Sequence, residues 1–353
     1  MKCVLVLSCL LAAPIAFAPE PAQVDTGTGI LHGTLELPKA KAPFPLVLLV
    51  AGSGPTDRDG NQRQFKNDSL KLLAENLADR GIASLRFDKR GIGESKVDTK
   101  EADLRFGTYV DDVVAWGAQL RKDSRFCAVA IVGHSEGALI GTLAAQRFSA
   151  DGVISIAGAG RKAGQLILQQ MKERAVPTEL MQQVEDIVKA LEAGHTVETV
   201  PPALAPLFRP SVQPYLISSF KYDPAQEIGR IKSPVLILQG STDIQVSVDD
   251  AKLLAGANRS AKFLVIDGMN HILKDVPADL QKQFGSYADP SLPIDGRLLD
   301  EMAGWIVKLP SKCPSPPAPP AFSPKLVGGM APQAERIHST IAADTKARFF
   351  SAP

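Results

Sequence analysis

Histidine and cysteine are scarce in this chain, with five and four residues among 353. No cysteines or histidines stand at metal-ligand or redox-pair spacing, so neither a metal nor another cofactor is expected. An excess of charge of either sign is missing too. The 39 Lys and Arg oppose 38 Asp and Glu, for a net charge of +1, and the bases are dispersed among the acids. That balance disfavours nucleic acid and anionic membrane surfaces as main partners. Beyond the first residues no apolar run approaches the ~20 residues of a membrane-spanning helix, so no integral membrane segment is expected in the mature protein. What is present is ordinary globular composition, 45% hydrophobic and 22% charged, enough to bury a sizeable core.

The amino terminus reads as an export signal. Met1-Lys2 is a minimal positive start, Cys3 to Ala13 is apolar apart from Ser8, and Ala16-Phe17-Ala18 offers small residues to a peptidase. Residues 1–18 are therefore expected to be removed and the protein to be periplasmic or extracellular, although Pro19 directly after the cut is unfavourable. Lipid attachment at Cys9 is the less favoured alternative, because the apolar stretch before it is short. Cys127, at the head of an apolar run, is expected to be a small buried residue.

Short apolar runs alternate with helix-like segments. Phe44 to Val50, Ile82 to Phe87, Ala128 to Val132, Gly152 to Ala157, Val235 to Leu238 and Lys262 to Ile266 are continuous enough to be strands covered on both faces. Helical spacing recurs over Asn67–Arg80, Thr108–Arg121, Ala138–Phe148, Val248–Ala255 and Gly296–Leu309. This alternation predicts an α/β fold whose central sheet is mostly parallel and flanked by helices. Gly29 to Leu37 alternates as an antiparallel strand would at the sheet edge. Roughly seventy residues separate the strands ending at Ala157 and starting at Pro234, too many for one crossover. An inserted helical cap over about residues 161–228 is predicted there, within a domain spanning 19–309. From Pro310 onward prolines crowd the chain, and 310–353 are expected to be a mostly disordered tail, with a marginal helix over Pro332–Arg348.

The chemistry-bearing motif is Gly133-His134-Ser135-Glu136-Gly137. It follows an apolar strand and precedes a helix, the context in which G-x-S-x-G makes a sharp turn that exposes the serine hydroxyl. Ser135 is thus the candidate nucleophile. Of the five histidines, His32 falls in the edge hairpin, His195 in the cap, His338 in the tail, and His134 within the elbow, pointing away from its neighbour's hydroxyl. His271, just past the last strand, remains as the base. Asp243, in the turn after Val235–Leu238, is the candidate carboxylate that orients it; Asp249, Asp250 and Asp267 are rivals placed less directly at a strand end. The order Ser, Asp, His suits such an architecture. Gly158, Gly160 and Gly164 are spaced one residue too wide for a nucleotide-binding loop.

With these residues in place, the chain resembles the α/β-hydrolase family over roughly residues 25–309, and within it bacterial serine carboxylesterases. The resemblance rests on Ala51-Gly52-Ser53-Gly54-Pro55, on the stretch Gly52 to Gly60, on Asp88-Lys89-Arg90-Gly91-Ile92-Gly93-Glu94-Ser95 and on Gly240-Ser241-Thr242-Asp243. Many relatives begin the first loop His-Gly, where this chain has Ala51-Gly52. The resemblance implies an α/β-hydrolase fold and hydrolysis of small-molecule carboxylic esters through an acyl-enzyme. It also implies an oxyanion hole made by the backbone N–H of Glu136 and one from the first loop, Ser53 or, as runner-up, Gly52. Asp57, Arg58 and Asp59 either contact substrate or form an ion-paired loop; Asp88 and Arg90 are expected to be structural. A serine peptidase, an acyltransferase and a non-catalytic binding protein are the competing functions.

Overall fold

The computed structural model describes residues 19–310. The expected signal, Cys9, Cys313 and the tail helix lie outside the described residues.

The β-branched and leucine-rich runs form the sheet because each can be buried on both faces. In chain order the strands are β1 (Glu20–Asp25), β2 (Ile30–Glu36), β3 (Phe44–Val50), β4 (Ala83–Phe87), β5 (Phe126–His134), β6 (Val153–Ile156), β7 (Val235–Gly240) and β8 (Lys262–Ile266). They assemble as β1-β2-β4-β3-β5-β6-β7-β8. β2 runs antiparallel to both β1 and β4, and β4 onward is parallel. β1 lies outside β2, so Gly29 to Leu37 does not supply the edge strand. The reason is compositional: β1 is Glu-Pro-Ala-Gln-Val-Asp and buries only Val24, which leaves no alternating apolar signal to read.

Helices cover the two faces. Against one face pack α1 (Ser69–Asp79) and the last helix, Gly296–Ile306, through Leu73, Leu77, Leu298 and Met302. Against the other pack α2 (Phe106–Leu120) and α3 (Glu136–Phe148), through Val110, Val113, Trp116, Ile140 and Leu143. Between β6 and β7 the chain forms α4 (Ala163–Glu173), α5 (Thr178–Glu192), α6 (Ala205–Phe208), α7 (Gln213–Ser219) and α8 (Pro224–Gly229). α9 (Val248–Ala257) follows β7; α10 (Leu280–Ser286) and α11 (Gly296–Ile306) follow β8. The α4–α8 segment shares apolar core with α2: Tyr215 on α7 stacks near Phe106 and Tyr109, at centroid distances of 5.8 and 5.6 Å. Ser218 Oγ accepts the free N–H of Phe106 at the start of α2 (2.8 Å), and Arg209 pairs with Glu101 just before it.

Cys127 corrects the sequence reading. It is half-buried and disulfide-bonded, with a partner outside the described residues. The apolar run that suggested a core position only becomes buried from Ala128 onward, so Cys127 sits at the less covered start of β5. No described helix is long and apolar enough to cross a membrane.

The loops leaving β3 and β4 are fastened by charge. Asp57 accepts the N–H groups of Asp59 (2.9 Å) and Asn61 (2.8 Å), Arg58 pairs with Asp88 (2.5 Å), and Asp59 accepts from Arg86 Nε (2.8 Å). Asp88 also accepts the N–H of Arg58 and of Glu94. Arg90 forks onto Asp112 of α2, with both side chains almost wholly buried, and reaches Thr26 and Thr28 behind β1. Arg58 and Asp59 thus sit in an ion-paired loop whose turn Asp57 ties through backbone N–H groups, and Asp88 and Arg90 are part of the same scaffold. Removing one partner of a buried pair strands the other charge. Asp112→Ala should lower unfolding free energy by about 3–5 kcal/mol, measured by urea denaturation.

Candidate active site

Ser135 sits where β5 breaks into α3, with φ 55° and ψ −123°, a conformation that L-residues avoid and that costs on the order of 1–3 kcal/mol. Only missing side chains permit it. A Cβ on Gly133 would strike Gly137 and Ala138, and one on Gly137 would strike the carbonyls of Val50 and Ala51. The Ser135 N–H is held by the Ile156 carbonyl of β6 (2.9 Å), so strands on either side of β5 grip the turn. Its hydroxyl stands at the N-terminus of α3, where unpaired N–H groups and the helix dipole favour negative charge.

His271 and Asp243 arrive from the ends of β8 and β7. Gly240 lets the two turns touch, since any side chain there would meet the Met269 carbonyl. Thr242 then binds Met269 O through its N–H (3.2 Å) and Gly268 O through its hydroxyl (2.9 Å). This seam brings His271 Nδ1 to 2.8 Å from Asp243 Oδ2, with both side chains nearly inaccessible to solvent. Asp243 Oδ1 accepts the N–H groups of Gln245 (2.7 Å) and Val246 (3.0 Å), and Gln239 Nε2 donates to Oδ2 (3.0 Å). Burial alone would raise the Asp243 pKa, but the charge and hydrogen bond of His271 with the two backbone donors bring it below the ordinary carboxylate value. The ionised Asp243 therefore orients His271 with a proton on Nδ1 and its Nε2 available as a base.

The rival acids are otherwise engaged. Asp249 pairs with Lys252, buried Asp250 holds Arg161 and the Gly160 N–H, and Asp267 accepts from Ser241. Ser135, His271, Gly52 and Ser53 line a common cavity of about 90 Å³, with Thr56, Gln62 and Gln245 also in its wall. Ser135 and His271 face each other across this space. Gly52 packs on the nucleophile, where a Cβ would lie 3.0 Å from that of Ser135. Ser53 and Glu136 both keep their backbone N–H free of partners among the described residues. Among those residues no cluster of three or more His, Cys, Asp or Glu could hold a metal ion.

Two contributors were not legible from sequence spacing. Gln239, inside β7, braces Asp243. His134 was expected to point away from the serine hydroxyl, and its ring does lead elsewhere: Nε2 donates to the His271 carbonyl at 2.7 Å, with the two rings 4.9 Å apart. A histidine next to a candidate nucleophile gives no hint of a tertiary partner 137 residues away.

A likeness to known proteins follows this geometry. The family described as serine aminopeptidase, S33, a hydrolase family, matches residues 68–275. The chain belongs to that family. Over 295 residues the hydrolase is 31% identical to esterase EstD of Thermotoga maritima, covering 81% of this chain and 68% of the relative. Its fold is that of the α/β-hydrolases. Est1E from Butyrivibrio proteoclasticus superposes with a TM-score of 0.53 at 16% identity, over 81% of this chain and 98% of that one. The Pyrococcus furiosus esterase Pf2001 does so with a TM-score of 0.53 at 14% identity, over 86% and 94%.

Burial, and then the charge on His271, push the His134 pKa down to about 4. The folded protein therefore excludes a proton that the unfolded chain binds below its ordinary value near 6.5. Stability from this residue is complete above that value and declines as pH falls toward 4. Between pH 6.5 and 4 the wild type should lose about 3 kcal/mol more than His134→Gln, read from denaturation midpoints across that range.

Proposed function

We propose that this hydrolase cleaves small carboxylic esters by way of an acyl-enzyme on Ser135. The observation that carries the reading is the buried Asp243–His271 pair opening into the same cavity as a serine on a strained strand-to-helix turn. His271 Nε2 takes the Ser135 proton as Oγ bonds to the ester carbonyl carbon. The resulting oxyanion is met by the N–H of Glu136 and that of Ser53, with Gly52 the alternative donor. His271 then passes its proton to the departing alcohol, leaving the acyl group on Oγ. Water, deprotonated by His271, attacks that acyl carbon, and proton return to Ser135 releases the acid. Every proton in this cycle moves through His271 or water.

The small volume of the cavity, about 90 Å³, is read as favouring short acyl groups over fatty chains. The α4–α8 segment, seated on α2, is read as the cap, while the wall of the cavity itself comes from the loop after β3 and from Gln245, Ile272 and Tyr287. Export is supported by the composition of residues 1–18 and by the disulfide at Cys127, since such bonds persist mainly in oxidising compartments.

A fluorophosphonate probe should label Ser135, located by peptide mass spectrometry, and p-nitrophenyl acetate should be turned over faster per kcat/KM than the octanoate. Ser135→Ala should abolish both labelling and turnover. Asp243→Asn should keep the fold and lower kcat by about 10³–10⁴-fold through loss of the correct His271 tautomer. Alanine p-nitroanilide run beside the esters tests the aminopeptidase reading of the family; amide turnover matching the esters would displace the present one. Intact mass of the protein recovered from the cell envelope, with peptide mapping under non-reducing conditions, checks signal removal and identifies the partner of Cys127.

A further inference from the structure

Lys89 follows β4 in the Asp88–Arg90 segment, and its ammonium is almost completely withdrawn from water. It makes no close ion pair. Nζ donates to the Gly52 carbonyl (2.5 Å) and the Gly54 carbonyl (3.3 Å), lies 5.4 Å from the centre of the Tyr109 ring, and stands 3.9 Å from Glu136 Oε2. Burial pulls its pKa down and Glu136 opposes that pull. A desolvated cation is costly unless hydrogen bonds and opposite charge offset the lost hydration. Here the contacts fall on the loop that packs against the nucleophile.

The carbonyl between them is fastened as well: Ser53 O accepts from Thr56 Oγ1 (3.0 Å) and Gln62 Nε2 (3.1 Å). Three consecutive carbonyls are thereby fixed by side chains. A trans peptide is planar, with its C=O and N–H pointing opposite ways. Anchoring the Gly52 oxygen on Lys89 therefore turns the Ser53 N–H of the same peptide away from the ammonium. The bond to a cation also polarises that peptide and makes its N–H a stronger donor. Glu136, the residue after the nucleophile, lends its N–H to one side of the site and its carboxylate to the other, facing Lys89 and the buried hydroxyl of Tyr215. Lys89, Glu136 Oε2 and the Tyr215 hydroxyl thus share one enclosed corner, with Lys89 its cation.

We propose that Lys89 is a positioning residue for ester hydrolysis, holding the Gly52–Ser53 peptide so that the Ser53 N–H is presented to the oxyanion. This rests on the esterase reading above and selects Ser53 over Gly52 as the loop's donor.

The test compares wild type with Lys89→Met, which keeps the length and removes the charge and donors. Readouts are kcat and KM for p-nitrophenyl acetate, affinity for a trifluoromethyl ketone that adds to Ser135 as an oxyanion, and affinity for acetamide as a neutral ground-state ligand. The expected result is a kcat about 100-fold lower with KM within threefold, ketone affinity reduced in step, and acetamide affinity within threefold. A folded variant with kcat and ketone affinity within threefold of wild type would overturn the proposal, as would equal weakening of ketone and acetamide. Should Lys89→Met fail to fold, Lys89→Arg decides the matter. Its planar fork cannot meet both carbonyls as an ammonium does, so an about tenfold loss confined to kcat and ketone affinity is expected. Wild-type values in that variant would overturn it. A wild type that turns over no ester removes the esterase reading itself, a result distinct from an active wild type with indifferent variants.

Discussion

The site depends on a close approach of backbones. The first turn of α3 presses against the end of β3 at Gly137, and against β5 at Gly133, with no room for a side chain at either point. That approach forces Ser135 into positive φ, sets the helix N-terminus behind it, and brings the Gly52 loop into contact with it. Six parallel strands, with β5 among them, make the approach rigid, because sheet hydrogen bonds on both sides resist the relaxation that strain would otherwise drive.

Around this point, loops without regular structure are stiffened by polar fastening. The loop after β3 is held by ion pairs of Arg58 to Asp88 and Glu94 and of Asp59 to Arg86. Two buried lysines act on backbone oxygens: Lys89 on Gly52 and Gly54, and Lys274 on Asn67 and Asp289. The second ties the turn carrying His271 to the entry of α1. Loops that present reacting groups need fixed positions, and buried cations on carbonyls supply them where neither helix nor sheet does.

Legibility in the sequence followed the range of the forces. Strands β3 to β8 and their helices were readable because burial on two faces writes continuous apolar runs. β1 was not, since a strand covered on one face at the sheet edge can be polar at most positions, as Glu20 to Asp25 is. The sequence places Ser135, Asp243 and His271 at strand ends, and the structure brings them to one cavity and one buried pair. The work of His134, Gln239 and Lys89 depends on distances across the fold that no local pattern encodes. Cys127 was misread for a related reason: an apolar run announces a strand but does not say where along it solvent stops.

The grip of Ile156 on Ser135, the seam between Thr242 and Met269, and the bond from His134 to the His271 carbonyl draw the reacting groups from segments distant in sequence. Asp243 and His271 both lie beyond β6, so until β7 and β8 join the sheet Ser135 has the Ile156 carbonyl beside it but no Asp243–His271 pair. Bringing the three side chains together therefore takes the carboxyl-terminal half of the sheet as well as the strand that carries the serine. A folding defect in the last third of the sequence silences the chemistry while leaving the nucleophile motif itself intact.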